Sequence, residues 1–154
     1  MEIQLSNFLE SRYNIYVDFH ILRTSIRGIL TNVEGPLSLA PKKYFIHSLE
    51  KLSHWVGKKH WILGGYFNLI HSLRDRKKGG IRSLNPANMA FDTLINELSL
   101  IYISTANSLF TWNNKCSGDR HIISRLDHFL ISESILSGGT YISTLVLSVV
   151  GLDH

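Results

Sequence analysis

The segment Trp61-Ile62-Leu63-Gly64-Gly65-Tyr66-Phe67-Asn68 constrains this chain more than any other. Three bulky apolar residues run into two glycines and then into polar side chains. A buried strand has this character where it ends at a site: the apolar residues fill a core, and the glycines let other backbone or a ligand come close. Taken alone, the glycine pair is equally the mark of any strand end that needs small residues.

Around this strand the pattern alternates between two periods. Tyr13 to His20 alternates apolar and polar residues, as a half-buried strand does. Ser25 to Val33 reads as its neighbour, with a turn at Arg23-Thr24. Glu34-Gly35-Pro36 ends that strand. Ser38 is a candidate N-cap for a helix that has Pro41 in its first turn and Tyr44, Phe45, Leu49, Leu52 and Trp55 three or four residues apart, closed by Gly57. A second helix is expected from Asn85-Pro86, burying Met89, Phe91, Leu94, Ile95 and Leu98. Short strands are expected at Leu100 to Ile103, Leu109 to Trp112 and His121 to Phe129, and a helical turn at Ser132 to Leu136. Tyr141 to Val150 reads as a strand buried on both faces. This alternation predicts an α/β fold with mixed sheets.

At 154 residues the chain suits one domain, and no internal repeat or long linker divides it. No stretch reaches the roughly 18 consecutive apolar residues of a membrane-spanning helix. The start, Met1-Glu2-Ile3-Gln4-Leu5, lacks a basic and then apolar leader. The single cysteine, Cys116, lies in a polar loop and excludes an intrachain disulfide. The expected location is therefore intracellular, nuclear or cytoplasmic, and not secreted. A formal charge of +4 permits a polyanionic partner without demanding one. The charge is concentrated at Arg74, Arg76, Lys77 and Lys78, ahead of Gly79-Gly80. That loop is either a solvated surface or a contact for nucleic acid. The histidines show no HxxxH spacing and the chain no CxxC, so a zinc site is not expected.

Polar residues of chemical interest occur in Gly64 to Asn68, in Ser124-Arg125-Leu126-Asp127-His128-Phe129-Leu130 and in Gly151-Leu152-Asp153-His154. The ordered set GGYFN, FTWNN, RLDHFL and a late DH resembles the endonuclease/exonuclease/phosphatase superfamily, the DNase I-like fold. More narrowly, it is similar to the endonuclease domain of plant LINE-type retrotransposons, where the run is typically GGDFN, a basic Gly-Gly loop, FTW, RLDRFL and SDH. The resemblance covers residues 13–154 and only the later part of that domain. It implies a four-layer α/β sandwich, two mixed sheets flanked by helices, with its N-terminal strands truncated, and so a single partial domain over residues 1–154.

The resemblance also implies chemistry. The superfamily hydrolyses phosphodiesters with a histidine general base, an aspartate that orients it and a divalent metal, Mg²⁺, on the phosphate. By motif match His154 stands at the base, Asp127 at the orienting aspartate and Asp153 at the acidic residue near the metal. Asn68 stands at the asparagine that contacts the scissile phosphate. DNA or another phosphodiester is the implied partner.

Three positions depart from the pattern. Tyr66 replaces the aspartate of GGDFN, and a phenol of pKa about 10 supplies no negative charge at neutral pH. Glu34 stands where the family has a phosphate-binding tyrosine, and its carboxylate would repel substrate. Leu152 replaces the serine of SDH. The strands carrying the family's metal-binding glutamate have no counterpart, and His154 is the last residue, where fraying is expected. Losing one such component typically costs on the order of 10²–10⁴ in rate. The leading expectation is therefore a retrotransposon endonuclease fragment without activity. The alternatives are a non-catalytic nucleic-acid-binding module and an active Mg²⁺-dependent nuclease or phosphatase. A chain lacking part of one sheet could also fail to fold stably by itself.

Overall fold

A computed structural model describes residues 2–77, 83–139 and 141–145. Three strands come first: β1 (Ile3–Glu10), β2 (Asn14–Ile21) and β3 (Ile26–Glu34). Helix α1 (Leu39–Val56) and strand β4 (His60–Tyr66) follow, then β5 (Arg76–Lys77), α2 (Pro86–Glu97), β6 (Leu100–Tyr102), β7 (Trp112–Asn113), β8 (Ile123–Ser124) and β9 (Asp127–Ser132). The larger sheet has the order β1-β2-β3-β4-β9-β6, and a small sheet has the order β5-β8-β7. In the larger sheet α1 carries the chain back so that β3 and β4 pair in parallel, while the other neighbours are antiparallel. The small sheet is antiparallel throughout.

Both helices lie on one face of the larger sheet. Cross-strand register puts Ile29, Thr31 and Val33 of β3 on the same face as Trp61 and Leu63 of β4 and Leu130 of β9. These residues, other than Thr31, form one core with Phe45, Leu49 and Val56 of α1 and with Phe91, Leu94 and Ile95 of α2. Three rings run through its centre, Phe45–Phe67 at 6.2 Å and Phe67–Phe91 at 5.1 Å between centroids. At the edge of this core the Trp61 indole N–H donates to the buried Thr31 hydroxyl at 2.9 Å. The α2 N-terminus is capped by the Asn85 side chain, which accepts from the Asn88 amide at 2.8 Å. Ser38 occupies the N-cap of α1 without a side-chain bond.

The opposite face of the sheet is also apolar. The same register places Val17, Leu30, Ile62 and Phe129 there, all half-buried and none in the main core.

The elements expected from the pattern are largely present, with differences that have local causes. Tyr44 and Trp55 of α1 and Met89 of α2 are exposed rather than buried. The α1 stripe instead runs through Lys42, Phe45, Ile46, Leu49, Leu52 and Val56. The expected strand at Leu109 to Trp112 begins only at Trp112. The one at His121 to Phe129 is split into β8 and β9. Between them the Arg125 amide leaves the ladder for the Asp75 carbonyl, and the Leu126 and Asp127 amides both donate to the Thr111 hydroxyl. The strand expected over Tyr141 to Val150 is not regular in its described part. Tyr141 is 90% exposed, and only Thr144 makes a bridge, to Thr105. Residues 146–150 lie outside the described residues. Strand β1 was not expected, because a bulge between Ser6 and Leu9 breaks its alternation and every residue in it is exposed. Among the described residues no helix is long and apolar enough to cross a membrane.

Candidate active-site cleft

The C-terminal end of β4 lies between the ends of β3 and β9, and the sequence explains how the strands come so close. Gly65 has φ +131°, and a β-carbon there would lie 2.3 Å from the Val33 carbonyl oxygen. At Gly64 it would meet the Phe129 ring at 2.9 Å. Both glycines are therefore required by packing on the flanking strands.

Register then aligns one row across three strands: Glu34 opposite Tyr66, and Tyr66 opposite Asp127. These residues line a cleft of about 620 Å³ with Asn32, Thr111 and Trp112. Burial first, and the Asp127 carboxylate second, push the Tyr66 phenol above its ordinary pKa. Its hydroxyl is held neutral and donates to the Asn68 side-chain oxygen at 3.3 Å.

Asn68 ties the end of β4 to the loop before α1 and to α1 itself. Its amide nitrogen donates to the Pro36 carbonyl at 2.9 Å, and its backbone carbonyl accepts from the Lys42 ammonium at 2.7 Å. The residue adopts a left-handed φ of 52°, which asparagine tolerates better than most. Its neighbour Phe67, fully buried, anchors the turn in the core.

The structure thus brings together Glu34, Tyr66, Asn68 and Asp127 from the sequence-derived set. Leu152, Asp153 and His154 lie outside the described residues, as does Lys78 of the basic loop. Arg74 is exposed in the 3₁₀ turn Leu73–Asp75, and Lys77 is exposed on β5. Arg76 turns inward and lines a second cavity beside the cleft.

Sequence reasoning missed a buried polar network behind the site. His128 Nε2 lies 2.6 Å from the Leu69 carbonyl, an atom that can only accept, so Nε2 carries the proton. His128 Nδ1 then accepts from the Tyr102 hydroxyl at 2.7 Å. Arg125 donates to the Tyr102 oxygen at 3.2 Å and to the Leu109 carbonyl at 2.7 Å, and lies 3.8 Å from Asp75. Asp75 in turn accepts from the amides of His71 and Ser72. The His71 ring stacks on Tyr102 and approaches Asp92 to 2.9 Å without hydrogen-bond geometry. Burial pulls His128 down to about 4 and pushes Tyr102 up to about 12, so both are neutral at physiological pH. The one available signal was that His128 directly follows Asp127. Nothing in the spacing ties it to Tyr102 or Leu69.

The resemblance implies a divalent cation at this site. Among the described residues no cluster of three histidine, cysteine or acidic side chains could hold a metal. Glu34 and Asp127 are separated in the row by a neutral phenol. The described residues do not fit a resident metal.

No protein-family model matches the chain, and no curated protein sequence does. Solved structures do match. The endonuclease domain of TRAS1, a telomere-specific non-LTR retrotransposon, superposes with a TM-score of 0.66 at 14% identity, covering 88% of this chain and 57% of that one. The fold is DNase I-like. The Xenopus laevis APE2 catalytic domain shares this fold at a TM-score of 0.61 and 18% identity, with 81% of this chain and 47% of that one covered. An endonuclease/exonuclease/phosphatase family protein from Bacteroides thetaiotaomicron does so at 0.55 and 13%, with 86% and 52% covered. At these identities the DNase I-like likeness is one of architecture. The chain spans about half the length of the structures it matches.

Proposed function

We propose that residues 1–154 are a single partial domain of a retrotransposon-type, metal-dependent endonuclease that lacks phosphodiesterase activity as it stands. The observation that carries this reading is the row Glu34–Tyr66–Asp127. In support of this reading, residues of the GGYFN, FTWNN and RLDHFL segments line one cleft. Its central position holds a neutral phenol where the family pattern has a carboxylate, and Glu34 adds negative charge where that pattern binds phosphate. Asn68 is occupied with Pro36 and Tyr66. Asp127, His154 and Asp153 are assigned by motif to the orienting, base and metal-side positions. DNA or another phosphodiester is the substrate class, and Mg²⁺ the cation of a competent relative.

Nicking of supercoiled plasmid with Mg²⁺ tests this. No cleavage above a buffer control is expected. Cleavage that disappears in His154→Ala would overturn inactivity and establish an active Mg²⁺-dependent nuclease.

A second reading, a non-catalytic nucleic-acid-binding module, is favoured by Arg74 and Lys77, both exposed beside the inward-turned Arg76. Duplex binding that weakens steeply with salt, and weakens further when Arg74 and Lys77 are neutralised, is its expected signature.

A further inference from the structure

A cavity of about 330 Å³ adjoins the cleft and shares Leu37, Tyr66 and Trp112 with it, but its chemistry is opposite. Glu34 and Asp127 line the cleft. Among the described residues the cavity wall holds no acidic residue and two cations, Lys42 and Arg76, together with Asn68, Asn85 and Asn88.

Among the described residues neither cation has an ion pair. Lys42 is only 8% exposed, yet its single recorded partner is the Asn68 carbonyl, which leaves two of its three N–H donors. Arg76 Nε is fully buried and has no hydrogen-bond partner among the described residues. A buried guanidinium nitrogen without an acceptor is costly and uncommon. Asn85 and Asn88 are already used in capping α2 and in holding the Ile70 amide at 3.1 Å, so neither is positioned to satisfy Arg76. Among the described residues the cavity therefore offers several N–H donors and no acidic side chain.

We infer that the cavity between Lys42 and Arg76 binds a phosphoryl anion. Arginine suits this role because its planar fork matches phosphate oxygens, with a buried lysine acting as a point charge beside it. The phosphoryl group comes from a backbone phosphodiester or a terminal phosphomonoester of a strand lying along the cleft; that source rests on the nucleic-acid reading above. The cavity holds the strand in place through Lys42 and Arg76, neither of which is assigned a contact with a reacting atom.

Thermal melts and ³¹P line widths of the full chain with inorganic phosphate, against chloride at equal ionic strength, test the cavity itself. Phosphate is expected to stabilise more than chloride, and Arg76→Gln to bind it about tenfold more weakly, with Arg76→Lys between the two. Lys42→Met is the parallel variant. Should it fail to fold, Arg76→Gln still decides, because its Nε has no described partner to lose. Equal affinity in Arg76→Gln, or no preference for phosphate over chloride, would overturn the site.

Fluorescent oligonucleotides with and without a 5′-phosphate separate the sources. Equal binding, weakened in Arg76→Gln, supports the backbone phosphodiester. Dependence on the 5′-phosphate supports the terminal group. Phosphate binding without binding of either oligonucleotide leaves the cavity standing and removes the nucleic-acid reading.

Discussion

Tyr66 lies directly opposite Asp127 on the antiparallel pair β4–β9, and the carboxylate helps to hold the phenol above its ordinary pKa. The two residues share a sheet face with Glu34, so any charge placed at position 66 has acidic neighbours on both sides.

Tyr66→Asp should therefore expose the electrostatics of the cleft. Three acidic residues in one row are expected to lower stability by about 1 kcal/mol in the absence of divalent cation. Mg²⁺ should restore that stability in the variant and change the parent chain no more than an ionic-strength control does. Melting curves with and without Mg²⁺ check this, and equal responses in the two proteins would argue against the row as a cation-binding position.

His128 makes stability depend on pH in a defined direction. Its folded pKa, about 4, lies below the unfolded value near 6.5, so the folded state binds fewer protons. The stabilisation is fully present above pH 6.5 and is lost as pH falls from there toward 4. Its size is on the order of 3 kcal/mol. Urea melts between pH 7 and 4.5 should show this loss. His128→Gln should be weaker at pH 7 but flatter across the range, and an unchanged slope would rule the residue out as the cause.

Gly65→Ala should destabilise by more than about 2 kcal/mol, since the new β-carbon would meet the Val33 carbonyl at a position of positive φ. If the melting temperature stays within error of the parent, the close approach of β3 and β4 is not as tight as described.

The outer edge of β1 has no strand partner among the described residues, and Leu5 and Phe8 on it are 57% and 66% exposed. Such an edge recruits other chains. Leu5→Lys is expected to reduce aggregation, measured by light scattering during concentration, while changing stability by no more than about 0.5 kcal/mol. Unchanged scattering would point to another surface.

The legible parts of the chain were those where local chemistry repeats with a period. β2 follows from alternation with β3 as its neighbour, α1 and α2 from three-to-four spacing, and β4 from its apolar run into Gly64-Gly65. Where tertiary contacts compete with the backbone ladder, the pattern misled. Thr111 and Asp75 draw away the amides that would have joined β8 to β9, and the bulge between Ser6 and Leu9 hid β1. The spacing of Tyr44 and Trp55 fitted a buried stripe, yet they lie on the solvent side because the helix axis was set by Phe45 and Leu49 against Phe67 and Leu63.

The sequence by itself determined the ordered motifs GGYFN and RLDHFL, their apolar settings, and the loss of a carboxylate at Tyr66. These are properties of neighbouring residues and need no fold to be read. Only the tertiary structure decided that Glu34, Tyr66 and Asp127 share one row, that His128 belongs to a buried network with Tyr102 and Arg125, and that Arg76 leaves the basic loop to join Lys42 in a cavity. Each of these joins residues more than 20 positions apart, or turns a side chain inward against its local pattern. Strand register and burial set such relationships, and no local period encodes them.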